Sequence, residues 1–435
     1  MPESERDAEK RECYSERRQK QTGTILIRGA RQLLTLHGPK SPRRGGELNE
    51  LGIIQDGAVL VSDGVVQEVG PTRRVENLAK ARGVVEIDAF GRVVMPGFVD
   101  CHTHLLCPPA GVAEDDLKNA TRLVRACSSR RVAGRARPYL EAMVRHGTTT
   151  VDIKTGSGPD ESAETKLLRV MAGLQGTPLE IVPTFLLRLP HGGTCHESAG
   201  MPAMANGCGE LLSKVARRRL ARFVDLTLDD DQLQPPLLES LLKTASQNGL
   251  PCRLHCGLKT AGIAAAMAAR YDVAGLDHAE MLLPEIPGAC SGFRGVATLL
   301  PQGRWQKPGR AASARALVDS GVAIALASNF HPQHAPVLSM QAVVALASME
   351  FGLTAAEAIS AATINAAHAA GCAGRVGSLE FEKSADLLIL NASDYRDLTG
   401  HLGSNLVHLT MKRGAFIYKE GAVAPLAAEE LQASW

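Results

Sequence analysis

The chain has 435 residues, with 48 basic and 46 acidic side chains for a formal charge of +2, and only 4% of it is aromatic. That balance excludes the basic, aromatic-studded surface of a nucleic-acid binder and points to a small-molecule partner. The length exceeds the roughly 250 to 300 residues at which one core stops growing, so one large domain and a smaller one are expected. Ten cysteines are scattered without a repeating framework, which predicts reduced thiols and a cytoplasmic address.

Residues 1–21 are crowded with Glu, Arg, Lys and Asp and contain no apolar run, so neither a secretory signal nor a membrane span is expected there. They read as a disordered, solvated tail. Next, Thr24 to Arg28 and Gln32 to Leu36 are strand-like, and Ala58 to Gly70 reads as a hairpin turning at Asp63-Gly64. Gly38 to Asn49 is Gly-, Pro- and Arg-rich and reads as a loop. The segment 22–93 therefore predicts a small antiparallel β unit.

From Gly97 onward, short apolar runs alternate with helical segments. The runs are Phe98 to His104, Thr148 to Lys154, Glu180 to Leu187, Arg222 to Leu228, Pro251 to Cys256, Val273 to His278, Gly295 to Leu300 and Val322 to Asn329. Eight strands alternating with helices predict an α/β fold, a (β/α)8 TIM barrel over 94–375. Thr260 to Tyr271 predicts a helix with Ile263 and Met267 on one face. Ser313 to Ser320 predicts another, ending at Gly321, and a Thr354/Glu357 capping box opens a long helix towards Gly371. The stretch from Arg188 to Cys208 has no regular period and reads as an insertion placed to line or lid a site at the barrel mouth. Strand-like runs at Ala385 to Leu390 and His408 to Gly414 predict that residues 376–435 return to residues 22–93, completing a composite β-sandwich domain.

In a TIM barrel, functional groups sit at the C-terminal ends of the strands. Those ends carry His102 and His104 on the first strand, His255 on the fifth, His278 on the sixth and Asn329 on the eighth. Alternation puts His102 and His104 on one face, where two imidazoles can share an ion, and puts Cys101 and Cys256 on the other as packing thiols. Several imidazoles at one mouth are a more specific signal than any one of them, since a lone histidine is more often structural.

The run Pro96 to His104, the strand-end histidines, the block Gly147 to Lys154, and Gly377 to Glu380 followed by Lys383 to Leu387 resemble the amidohydrolase superfamily, most closely its imidazolonepropionase family. The block Arg43 to Ile54 is similar too, less specifically. The resemblance spans nearly the whole chain from about Gly23. It implies a metal-dependent hydrolase that opens a cyclic C–N bond in histidine breakdown, using one divalent ion, zinc or iron. It implies His102, His104, His255 and the eighth-strand position, Asn329, as metal ligands. His278 is implied as the group facing substrate and water.

The pocket departs from the family pattern. Asn329 stands where the family has aspartate, and an amide has no proton-accepting carboxylate. The family's arginine, tyrosine and glutamate fall at Gly111, Ser157 and Leu258, and its third-strand histidine falls at Leu189, with His191 close by. Its asparagine beyond the eighth strand falls at His331. Two compensations are weighed, with catalytic help or ligation from His331, and an anion contact from Lys154; Ser157 and His191 complete the candidate substrate contacts. Two other readings stand beside the hydrolase: a barrel that binds without catalysing, and a related deaminase. A homodimer is the default assembly.

Overall fold

A computed structural model describes residues 23–79, 83–106, 117–156, 158, 160–174, 177–188, 201–228, 235–257, 259–282, 292–302 and 312–421. The expected tail at 1–21 lies outside them. In the composite domain, β1 (Thr24–Leu34), β2 (Ile53–Ser62), β3 (Val65–Pro71), β4 (Val84–Asp88) and β5 (Val93–Pro96) come from the N-terminal side. The C-terminal strands β14 (Leu387–Leu390), β15 (Val407–Lys412) and β16 (Ala415–Lys419) join them at β5, in the order β16-β15-β14-β5-β1-β2-β3, with β4 beside β1. Ile27, Val59 and Val66 from one end of this sheet and Leu387, Ile389 and Met411 from the other meet in one apolar core. Asp63 and Gly64 take the positive φ angles (52° and 79°) that the predicted hairpin needs.

The barrel strands follow the predicted runs: β6 (Phe98–Thr103), β7 (Thr148–Lys154), β8 (Glu180–Leu187), β9 (Phe223–Thr227), β10 (Cys252–His255), β11 (Gly275–Asp277), β12 (Val296–Leu299) and β13 (Ile324–Leu326), each parallel to the next. Strand β5 belongs to the composite sheet, so the barrel begins just after Pro96. The first and eighth strands meet beyond their ends. His104 N–H donates to the Phe330 carbonyl at 2.8 Å and Asn329 N–H to the His102 carbonyl at 3.0 Å. Asp100 reinforces the seam. Its Oδ1 accepts the Ser328 backbone N–H at 3.0 Å and its Oδ2 accepts the Ser328 hydroxyl at 2.5 Å. Burial pushes the Asp100 carboxyl up to about 7, although the two bonds from Ser328 and one from the His102 backbone pull it down.

Three helical expectations change. Residues Met201–Arg217 form a helix, so the expected irregular insertion does not run on to Cys208, and 189–200 lie outside the described residues. On Ala261–Arg270 the buried face is Ala261, Ala264, Ala265 and Ala268, with Ile263 and Met267 only half-buried, because small side chains let the helix lie close to the barrel. The capping box is present, with Thr354 Oγ1 accepting Glu357 N–H at 3.1 Å and Glu357 Oε2 accepting Thr354 N–H at 2.8 Å. The helix it opens stops at Ala362, and a second runs from Ile364 to Ala369. Thr363 breaks it: its hydroxyl donates to the Ile359 carbonyl at 2.6 Å and competes with the helical ladder.

Ser328→Ala leaves the buried Asp100 carboxylate without its hydroxyl partner and is expected to cost about 1–3 kcal/mol. The urea midpoint should fall accordingly. An unchanged midpoint would show that the seam does not depend on this pair.

Candidate active site

Four imidazoles meet at the mouth. The Nε2 atoms of His102 and His104 lie 3.2 Å apart. One ligand atom each from His102, His255 and His278 falls within 4.8 Å of the others. Ring centroids are 5.3 Å apart for His102 and His255, 4.3 Å for His255 and His278, and 6.3 Å for His104 and His255. The ladder between β6 and β7 is irregular between Asp100 and Thr103, so plain alternation does not describe this strand end, yet His102 and His104 still converge.

Each orientation has a cause. His102 Nδ1 faces Asp277 Oδ2 at 3.0 Å, so it carries the proton and Nε2 is left with its lone pair. His255 Nδ1 lies 3.5 Å from Asp225 Oδ2, long for a hydrogen bond but of the same sense. His278 sits in a left-handed conformation (φ 59°) directly after β11, which turns its ring into the mouth, and its Nδ1 faces Glu280 Oε1 at 3.1 Å. The other oxygen, Glu280 Oε2, accepts Leu300 N–H at 3.1 Å, fixing that carboxylate in turn. Burial first holds His102, His104 and His255 below the ordinary imidazole range, followed by the charge of Lys154 for His102 and by the repulsion that a second protonated imidazole would bring for His104 and His255. They are therefore neutral near pH 7 and able to ligate. The donor set fits a divalent ion: several neutral imidazoles with lone pairs aimed at one small region.

Asn329 is buried at the seam with φ 54°, a backbone state asparagine tolerates better than most residues. His331 stands further out, its ring 6.1 Å from that of His104. Its Nδ1 accepts Gln333 N–H at 3.2 Å, so the neutral ring keeps its proton on Nε2. The expected anion contact from Lys154 is also corrected. Its ammonium is buried in the barrel, 2.7 Å from both Asp225 Oδ2 and Asp277 Oδ2, because the inward face of β7 leads it to these carboxylates and not to the mouth. Gly111, Ser157, Leu189, His191 and Leu258 lie outside the described residues.

Sequence reasoning missed Asp225, Asp277, Glu280 and Arg188. The first two were findable as inward-facing carboxylates, Asp225 level with Arg253 on the neighbouring strand, two residues before His255, and Asp277 level with His255 and directly before His278. Arg188, directly after β8, lies close enough to His104 for its charge to help depress that imidazole, after burial and the neighbouring histidines.

A sequence profile of the Amidohydrolase family matches residues 297–417. The chain is 34% identical to an imidazolonepropionase from Chloroflexus aggregans over 422 residues, covering 90% of this chain and 98% of that one. It is 31% identical to the enzyme of the same name from Brevibacillus brevis, covering 93% and 100%. The fold is similar to a crystal structure of a triazine hydrolase variant at a TM-score of 0.70 and 16% identity, covering 91% of this chain and 95% of that one.

Asp277→Asn should release the tautomer of His102 and weaken divalent-metal affinity by about 10- to 100-fold. Equilibrium competition with a chromophoric chelator measures it. Affinity unchanged within twofold would contradict the assigned role of Asp277.

Proposed function

The chain belongs to the imidazolonepropionase family of amidohydrolases, and on that premise we propose that it opens a C–N bond in a small cyclic amide or amidine, as a hydrolase of histidine breakdown. The observation that carries this reading is the convergence of His102, His255 and His278, with His104 Nε2 beside that of His102 and with Asp277 and Glu280 facing the Nδ1 atoms of His102 and His278. His102, His104 and His255, with Asn329 beside them, would hold one divalent ion, zinc or iron, since both accept neutral imidazole. The bound ion supplies Lewis acidity and lowers the pKa of a water on it towards neutrality.

The chain's own groups divide the remaining work. Asn329 offers an amide oxygen but no site for a proton. His278 has what Asn329 lacks: its Nε2 can take a proton from water at the mouth, and Glu280, facing Nδ1, stabilises the imidazolium that results. His331 presents Nε2–H, suited to donating to a ring oxygen or a leaving nitrogen. The charge of Arg188 acts on His104, and there it would attract a substrate carboxylate. Among the described residues no helix is long and apolar enough to cross a membrane. The cysteines among them are free thiols, which supports a cytoplasmic setting. A homodimer remains the proposed assembly on symmetry grounds. Asn329 also favours a second reading, a barrel that keeps its ion and binds without turnover.

Wild-type protein should carry one zinc or iron per chain by elemental analysis and open a member of a panel of cyclic amides and amidines. His278→Gln should keep the ion and lose about 10²- to 10⁴-fold in kcat. An ion without ring opening would favour the binding reading, and no ion at all would overturn the proposal. Arg188→Met should raise KM for a carboxylate-bearing ring about tenfold with kcat nearly unchanged, the loss of one charge-assisted hydrogen bond. An unchanged KM would remove Arg188 from the binding site.

A further inference from the structure

Beneath the histidines the barrel interior buries three carboxylates and two cations: Asp152 and Lys154 from β7, Asp225 from β9, Arg253 from β10 and Asp277 from β11. They form two sets. In one, Arg253 donates to Asp152 Oδ2 at 3.0 Å and to the Ala369 carbonyl at 2.5 Å, and its guanidinium lies 3.8 Å from the centroid of the Phe223 ring. Thr184 donates to the same Asp152 oxygen at 2.8 Å. The hydrogen bonds of this set run to strand, helix and each other.

The other set points upward. Lys154 Nζ donates to Asp225 Oδ2 and Asp277 Oδ2, each at 2.7 Å. Those same two oxygens face imidazole Nδ1 atoms, Asp277 Oδ2 that of His102 at 3.0 Å and Asp225 Oδ2 that of His255 at 3.5 Å. One ammonium therefore stands behind the partners of a first-strand and a fifth-strand histidine at once.

We propose that Lys154 is a positioning residue for the metal centre: by clamping Asp225 and Asp277 together it fixes the tautomer and ring direction of His102 and His255 in concert, presenting both Nε2 lone pairs to one ion. The inference rests on the metal reading of the histidine cluster given above. The physics is that two buried carboxylates sharing one cation repel each other once it is removed. One of them must then turn away or take up a proton, and either weakens the acceptor that kept the proton of the facing imidazole on Nδ1. A ring with its proton on Nε2 cannot ligate through that atom.

The test compares zinc affinity, by chelator competition, and the visible spectrum of the cobalt(II)-loaded protein for wild type, Lys154→Met and Arg253→Met. Arg253 is buried in the same interior but does not bridge the partners of the histidines, so it controls for a merely structural role. Lys154→Met should bind zinc about 10- to 100-fold more weakly and shift the cobalt bands. Arg253→Met should lower Tm but keep zinc affinity within about twofold. Equal affinity in Lys154→Met and wild type, or an equal loss in Arg253→Met, would overturn the proposal. Asp225→Asn, nearly isosteric, reads the same clamp if Lys154→Met does not fold; it should weaken zinc binding several-fold, and an unchanged affinity would overturn the proposal too. A wild type that takes up no metal would overturn the metal reading and this inference with it. A wild type that binds one ion as tightly as its Lys154→Met variant would overturn this inference alone.

Discussion

One ammonium inside a parallel barrel, Lys154 between Asp225 and Asp277, is the contact on which the site depends. Burial by itself would depress the lysine, but the two carboxylates outweigh it and raise its pKa above the ordinary lysine value. In return, against a burial effect that would raise them, Lys154 helps hold Asp225 down at about 2 and Asp277 well below the usual carboxylate range. All three groups are therefore charged at neutral pH. Such a buried cluster is not a stability device, since apolar packing of the same volume often does as well or better, whereas removing one partner leaves an uncompensated charge. What it delivers is direction: fixed acceptors below neutral imidazoles, so that donor atoms at the mouth are set before any ligand arrives.

The seam of the barrel is the second constraint. Asp100 holds Ser328, Asn329 N–H donates to the His102 carbonyl, and His104 is tied to Phe330, so the eighth-strand residue lies against the first-strand histidines whatever its side chain. On the proposed metal reading, the fold puts Asn329 at a ligand position with a side chain that has no proton-accepting carboxylate. His278 with Glu280 is the arrangement in the described mouth best built to take that chemistry over, because the carboxylate is itself fixed by Leu300.

The barrel was legible because its strands are apolar runs of about the right length separated by amphipathic helices, and because His102, His104, His255 and His278 all end such runs. The Thr354/Glu357 box and the Asp63-Gly64 turn are local signals, and both form as read. The helix break at Thr363 escaped because it depends on one hydroxyl choosing a carbonyl four residues back. Lys154 escaped for a different reason. A lysine at a strand end reads as a contact for an anion, and only the barrel's closure shows that two carboxylates from strands about 70 and 120 residues away occupy it first. Tautomers were equally out of reach, since the proton of His331 is placed by a backbone N–H two residues on.

The central claim, that neutral histidines oriented from below form one metal centre, is tested most directly by X-ray absorption at the edge of the metal in reconstituted protein. The expected first shell has three or more nitrogen or oxygen donors at about 2.0–2.2 Å, with the multiple scattering of at least three imidazoles. A shell of sulfur donors, or one with no imidazole scattering, would contradict it.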